Sequence, residues 1–519
     1  MTIRPANSFW IVFLVLVTGG FIYALAPQQR DTRGQKLLAE TRQLLRQQGF
    51  KTDLAEFDFS TSPEMQARVR VFRETAELLR SSGSLTHPNY MEMAGTHSAL
   101  VIWSQPELKA VSRSWWNNGD AMSWKEFREA MEGNQAQVNA AVSAILSGPI
   151  AFHLDARAGG AMLLPHLAEL KDFTMELGDR MVLAIHDGDT HAAFTDLLAA
   201  TRLVTAWKIE PVEISHLVRL ADTKIVFRAT WQALQTNAWP DEQLARLQVE
   251  WESANFLTNL SEILAFQCAS RIAAYDYDRN ETLHPSMPFI EFLRETLPSP
   301  LVMWDQFKSQ WRRRSYLHGG MYDEEKDVLL YYRDREIERR NAVQASSWMQ
   351  MRRLPGVMNE ILFHSKYNSR IQAIENLHRM GLAAQWPGSS FFGRAAEAEA
   401  ERRILITAIA LERYREKHGA YPETLTSLTP DFLKDPLPDF MNGQPLHYRL
   451  SGNGHFLLYS VGLDCVDDGG NVLARGNRVS KLRQFPVPGI EPKEDIVWPL
   501  PTPAIDSRGP TQEKPNTLE

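Results

Sequence analysis

The stretch AELKDFTMELGDRMVLAI, residues 168–185, decides the fold class of this chain. Its large apolar residues recur at spacings of three and four, which places them on one face of a helix. HDGD then interrupts the spacing. Gly188 suits the left-handed backbone conformation that often ends an α-helix, and Asp189 suits the cap at the start of the next helix. Because helical spacing resumes from Phe194 to Val204, we expect two antiparallel helices joined by a tight turn.

Helical spacing extends outward from this hairpin over most of residues 31–395. A third helix is expected after Pro211, with one apolar face turned to the core. We find no repeat of fixed period, which a regular solenoid of 30 to 45 residues per unit would show. The prediction is a mainly α protein built as a large irregular helical bundle or solenoid. The apolar face of the third helix comprises Ile214, Leu217, Val218, Ala221 and Ile225.

The pattern changes after residue 395. One more amphipathic helix ends near Gly419 and Pro422, and LHYRL, SGNG and HFLLYSV then predict strand, turn and strand over residues 446–461. Residues 396–485 are therefore expected to form a small α+β unit. Residues 486–519 are rich in proline and polar residues, which is typical of an extended, disordered tail.

Composition excludes several classes of protein. The chain has 519 residues, 44% of them hydrophobic and 23% charged, which is ordinary for a globular protein of two or more folding units. A net charge of -7 without a block of basic residues argues against nucleic-acid binding. The two cysteines, Cys268 and Cys465, lack the spacing of a zinc site and are too few for a disulfide framework, so we expect both to be unpaired.

Residues 9–26, FWIVFLVLVTGGFIYALA, form an uncharged and largely apolar run. Eighteen helical residues span about 27 Å, which is just enough to cross a bilayer. A cleaved signal peptide is the alternative, because Ala24-Leu25-Ala26 has the small residues of a cleavage site. Pro27 would follow that cut, so the sequence favours an N-terminal transmembrane helix within residues 1–30.

The expected location is the bacterial inner (cytoplasmic) membrane, crossed once, with the bulk of the chain in the periplasm. The distribution of basic residues does not support that orientation, because Arg30, Arg33 and Lys36 follow the apolar run while Arg4 precedes it. Orientation is therefore left open by charge alone.

The stretch YSVGLDCVDDGGN, residues 459–471, places Asp464, Asp467 and Asp468 around a glycine turn. Calcium binds six to eight oxygens on flexible loops, and this spacing can bring several carboxylates together. Asp, Asn and Gly are also the ordinary residues of solvated turns. A catalytic pair of acids is a third alternative, although no histidine or nucleophile is adjacent in sequence.

The C-terminal unit resembles the globular head of the major pseudopilins of type II secretion. The resemblance covers about residues 396–485, and it implies that the loop after the last strand binds a structural calcium ion through Asp464, Asp467 and Asp468. The matching elements are a helix, then Y..KHGAYPETLTSL, DP, G.PL.YR and YSVGLD..DDGG. The matching residues are Tyr414, Gly419, Tyr421, Pro422, Leu425, Leu428, Asp435, Pro436, Gly443, Tyr448, Tyr459, Ser460, Gly462, Asp464, Gly469 and Gly470.

The chain also departs from that family. A pseudopilin carries its head directly behind a processed N-terminal helix with a nearby glutamate, whereas no glutamate follows Phe21. DPLPD at 435–439 replaces the usual aspartate, proline, aromatic residue and glycine. The helical region, with HDGDTHAAFTDLLAATRLV and EISHLVRLADTKIV, is similar to envelope proteins of planctomycete and verrucomicrobial type, a likeness that implies no activity.

The predicted function follows from these parts. We expect a membrane-anchored cell-envelope protein of the binding or scaffolding type, linked to secretion or assembly, with protein partners and a head stiffened by calcium. No phosphate loop, dinucleotide fingerprint, Gly-x-Ser-x-Gly elbow or His-Glu-x-x-His is present. HDGDTH at 186–191 has metal-binding residue types, but helix caps explain it better. The alternative function is an enzyme with its active site in a cleft of the helical domain, because catalytic groups need not be close in sequence.

Overall fold

The computed structural model describes residues 33–81, 87–111, 121–282, 321–357, 391–452, 454–471 and 494–502. It is 61% helical and 8% strand, which confirms the mainly α expectation. The fold class was wrong in its membrane part: within the described ranges, no helix combines the length and the apolar character needed to cross a bilayer. The run at 9–26, on which that prediction rested, lies outside these ranges.

The helices are numbered in chain order over the described residues. They are α1 (33–47), α2 (Pro63–Ser81), α3 (Trp124–Met131), α4 (Gln135–Ser147), α5 (His166–His186), α6 (Thr190–Thr205), α7 (Glu213–Ala233), α8 (Asp241–Ser253), α9 (Leu260–Thr282), α10 (Met321–Ala342), α11 (Trp348–Met351) and α12 (Phe391–His418).

Short strands complete the fold. They are β1 (His87–Pro88), β2 (Ser98–Leu100), β3 (Leu108–Val111), β4 (Ala121–Met122), β5 (His447–Leu450), β6 (Phe456–Ser460), β7 (Ile496–Trp498) and β8 (Leu500–Thr502). The strands β1, β3 and β4 form one antiparallel sheet, β5, β6 and β7 form another, and β2 pairs with β8 in parallel.

The hairpin of α5 and α6 matches the sequence prediction. The apolar residues on the predicted face of α5, such as Phe173 and Leu177, are fully buried. Gly188 adopts a positive φ of 82°, and the Asp189 carboxylate accepts the backbone N–H of Ala192 at 2.9 Å. A glycine and a capping aspartate therefore turn the chain back on itself. His186 lies against this turn, stacked on Trp124 with ring centroids 3.8 Å apart.

The third predicted helix exists as α7, and its predicted face is only partly buried. Leu217, Val218 and Ile225 pack against the core, whereas Ile214 and Ala221 are exposed. Two polar side chains of α7, Arg219 and Gln232, are buried because they bond backbone groups of other elements. Arg219 donates to the carbonyl of Val204, and Gln232 donates to the carbonyls of Tyr90 and Leu100.

The helical and C-terminal parts share one hydrophobic core, which runs from α2 to β7. The helix α12 begins at Phe391 and packs against α7 and α8, so the boundary expected between residues 395 and 396 falls within a continuous helix. Residues 494–502 lie in the expected tail and form β7 and β8. A second core joins α1, α9 and α10. Cys268 and Cys465 are not joined by a disulfide bond.

Candidate ion site at the acidic loop

The acidic loop, residues 462–471, follows the fully buried strand β6. Its first residue, Gly462, has a φ of +67°, and a Cβ atom there would overlap the carbonyl oxygen of Glu494. Only glycine permits two backbone segments to pass this closely in that conformation. The acidic loop is thereby held against residues 494 and 495.

The three predicted ligands have different surroundings. Asp464 is half-buried and accepts the backbone N–H of Val466 at 3.0 Å. Asp467 is exposed, and its Oδ1 accepts the N–H of Gly469 at 2.8 Å and the hydroxyl of Tyr459 at 3.1 Å. Asp468 is exposed. Local turn geometry therefore occupies one oxygen of Asp464 and one oxygen of Asp467.

A fourth carboxylate, which sequence reasoning missed, lies beneath the loop. Asp495 is 4% exposed, its Oδ2 accepts the N–H of Gly470 at 2.7 Å, and its Oδ1 is buried with no hydrogen-bond partner among the described residues. Burial, helped by the negative charges of Asp467 and Asp468, raises the pKa of Asp495 to about 6, although backbone N–H groups of Gly470 and Asp468 act to lower it. The structure therefore brings Asp467 and Asp468 to Asp495, while Asp464 is not among the charges that act on it.

Asn471, at the end of the acidic loop, also carries a buried Oδ1 without a partner in the described part of the chain. The unpartnered oxygens of Asp495 and Asn471 and the exposed carboxylates of Asp467 and Asp468 are all oxygen donors, the type that calcium prefers. Within the described residues, no group of three or more His, Cys, Asp and Glu side chains is placed to hold a metal. Calcium at this loop therefore stays a prediction, with Asp467, Asp468, Asp495 and Asn471 as the residues whose chemistry fits it.

The acidic loop also joins the C-terminal part to the helical part. His97 Nδ1 donates to the carbonyl of Gly470 at 2.6 Å, and the carbonyl of His97 accepts the N–H of Leu500 at 2.8 Å. On the other side, Trp348 Nε1 donates to the carbonyl of Leu463 at 2.9 Å. An ion bound at this loop would act at the contact between the two parts.

The sequence signal for Asp495 was present but weak. It precedes Ile496, Val497 and Trp498, which are residue types that favour strands. The surrounding prolines led to the expectation of a tail, and the pairing of β7 with β6 overrides that local composition. The comparisons with known proteins add no ligand: no protein-family model, curated protein or solved structure matches this chain.

Proposed function

We propose that this chain is a non-catalytic binding or scaffolding protein of the bacterial cell envelope, in which calcium fixes the C-terminal part against the helical part. The observation that carries the proposal is the orphaned Oδ1 of Asp495 beside Asp467 and Asp468. A buried acceptor without a partner costs about 1–3 kcal/mol, and a bound cation would remove that cost. The proposal includes a periplasmic location. Extracellular calcium modules bind the ion weakly, and a site of that kind fills only at the calcium concentrations found outside the cytoplasm.

The proposed role of calcium is structural. Backbone groups and side chains of both parts, among them Tyr459, His97 and Trp348, already contact the acidic loop, so an ion here would add to the contacts that hold the loop in place. The same loop contacts His97 and Trp348 of the helical part. Calcium would therefore stabilise the relative placement of the two parts and, through it, any surface that a partner recognises across them.

The test is a calcium titration of the full chain, followed by thermal unfolding in chelator and in calcium. Calcium at about a hundred times its dissociation constant should add roughly 2.7 kcal/mol to the free energy of unfolding. Asp468→Asn and Asp495→Asn should each abolish the increase. Glu423→Gln is the matched control, because Glu423 is an exposed carboxylate of the same unit, and this variant should respond as the unmodified chain does.

Magnesium provides a second control, since its smaller octahedral shell suits such loops poorly. An equal response to magnesium would indicate general screening of acidic charge. Absence of any response to calcium would mean that the acidic loop is an ordinary turn, and it would refute the proposal. The alternative function, an enzyme with its active site in a cleft of the helical part, stays a hypothesis.

A further inference from the structure

A cleft of about 770 Å³ lies between α2, the connection at 151–165 and the start of α5. This volume is in the range of sites that bind small molecules or short peptide segments. Its walls combine apolar groups, including Phe152, Leu154 and Leu163, with charged groups of both signs. Leu163 is 83% exposed, so its side chain is accessible to a ligand in the cleft.

The charges in the cleft are ordered along α2. Arg73 pairs with Glu169 at 3.1 Å, and Arg80 pairs with Asp172 at 3.6 Å. The two ion pairs show that α2 and α5 run in the same general direction. The N-terminus of α5 therefore lies toward the Arg70 end of α2. Glu77 lies about two turns further along.

The Arg70 end of the cleft offers positive charge to an anion. No side chain caps the first N–H groups of α5, and the helix dipole places partial positive charge there. The acidic residue of this first turn, Glu169, is paired with Arg73. His166, the first residue of α5, lines the cleft, is 2% exposed and stacks on Phe152 with ring centroids 4.1 Å apart. Glu210 Oε1 lies 3.2 Å from its Nε2, but the two atoms do not form a hydrogen bond.

The other end of the cleft is negative. Glu74 and Glu77 are exposed residues of α2 that line it. Within the described part of the chain, neither of them forms an ion pair, and neither does Arg70. Because these three charges have no internal partner, they are available to a ligand that carries charges of the opposite signs.

From these observations we infer that the cleft binds a short zwitterionic peptide, with its carboxylate at Arg70 and the N-terminus of α5 and its amino group at Glu74 and Glu77. Seven residues of helix separate Arg70 from Glu77, which is about 10.5 Å along the axis. An extended peptide covers that distance with about three residues at 3.3–3.6 Å each. Leu163 and Phe152 would contact its apolar side chains.

The lining also offers a hydroxyl to a ligand. Thr61 lines the cleft, and its buried Oγ1 has no hydrogen-bond partner among the described residues, so it is available to bond a peptide backbone group. The inference adds a ligand class to the binding role proposed above, yet it depends on the helical part alone and not on calcium.

The test is equilibrium dialysis of the full chain against a pool of tripeptides with free termini, quantified by mass spectrometry. We expect a subset of peptides to be retained. The same pool with acetylated amino termini, or with amidated carboxyl termini, should be retained about tenfold less. Retention of all three pools alike would show binding through side chains only, and no retention would show an empty cleft; either result overturns the inference.

Two variants locate the binding. Arg70→Ala should weaken retention of the peptides with free termini about tenfold and leave retention of the amidated peptides unchanged. Glu77→Gln should also weaken retention of the free peptides about tenfold and leave retention of the acetylated peptides unchanged. Arg246→Ala and Glu242→Gln on α8 are matched controls, because both residues are exposed and lie outside the cleft lining. A chain that keeps its calcium response but retains no peptide would refute this inference alone, whereas peptide retention without a calcium response would refute only the proposed function.

Discussion

The acidic loop and the cleft of the helical part are built in opposite ways. Residues 462–471 are contiguous, and their conformation depends on glycines and on backbone hydrogen bonds, such as that from Gly469 N–H to Asp467. The cleft brings together α2, the 151–165 connection and α5, which are up to a hundred residues apart in the chain. A contiguous site can be read from local residue types, whereas an assembled one depends on helix packing.

The largest effect should come from the backbone of the acidic loop. Gly462→Ala places a Cβ against the Glu494 carbonyl at a φ of +67°, so we expect it to lower the free energy of unfolding by about 3 kcal/mol or more. Gly469→Ala is the control, because its φ of +76° is similar but nothing lies within 4 Å; it should cost about 1 kcal/mol. Chemical denaturation of both variants makes the measurement, and equal costs would contradict the close approach.

This difference also explains what the sequence could predict. The hairpin of α5 and α6 was correct because Gly188 and Asp189 specify the turn locally. The predicted face of α7 was only partly correct: Ile214 and Ala221 are exposed, while Arg219 and Gln232 are buried and bond backbone groups of distant elements. No periodicity can reveal such partners. Asp467 and Asp468 were likewise visible as a motif, whereas Asp495 depends on the pairing of β7 with β6.

A side chain at the base of the cleft should give the next largest effect. His166→Ala removes the stack on Phe152 and leaves the buried carboxylate of Glu210 without its imidazole neighbour. We expect a loss of about 2–3 kcal/mol in the free energy of unfolding. His153→Ala is the control, since His153 lines the same cleft but is exposed, and it should be nearly silent. If both variants lose the same stability, His166 does not hold the start of α5.

The acidic loop should also make the stability of the chain depend on pH. The pKa of Asp495 is raised to about 6 by burial from an ordinary value of 3.8, so between these values the folded chain binds a proton that the unfolded chain releases. Stability in chelator should therefore fall as pH rises through this window, with the full cost present above about pH 6.

Asp495→Asn should remove the contribution of this carboxylate to the change of unfolding free energy with pH. Glu176, Glu401 and Glu412 also have pKa values raised to about 7 by burial, so the whole chain retains a slope of the same sign. Denaturation at several pH values between 4 and 8 isolates the contribution of Asp495 as the difference between the variant and the unmodified chain. Parallel curves would mean that its carboxylate is hydrated in the folded state.

The smallest effect on the free energy of unfolding should come from a substitution at the mouth of the cleft. This substitution distinguishes the cleft from the acidic loop most clearly, because it should change ligand binding without changing stability. Leu163 is 83% exposed, so Leu163→Ser should change the free energy of unfolding by no more than about 0.5 kcal/mol. The same change should weaken tripeptide retention about fivefold, because a bound peptide would cover this side chain and the variant loses that apolar contact. Val249→Ser on α8, where Val249 is 62% exposed, should leave both quantities unchanged. A leucine that matters for ligand and not for folding marks a binding surface, whereas a leucine that matters for neither would be an ordinary exposed residue and would remove the apolar contact from the proposed cleft.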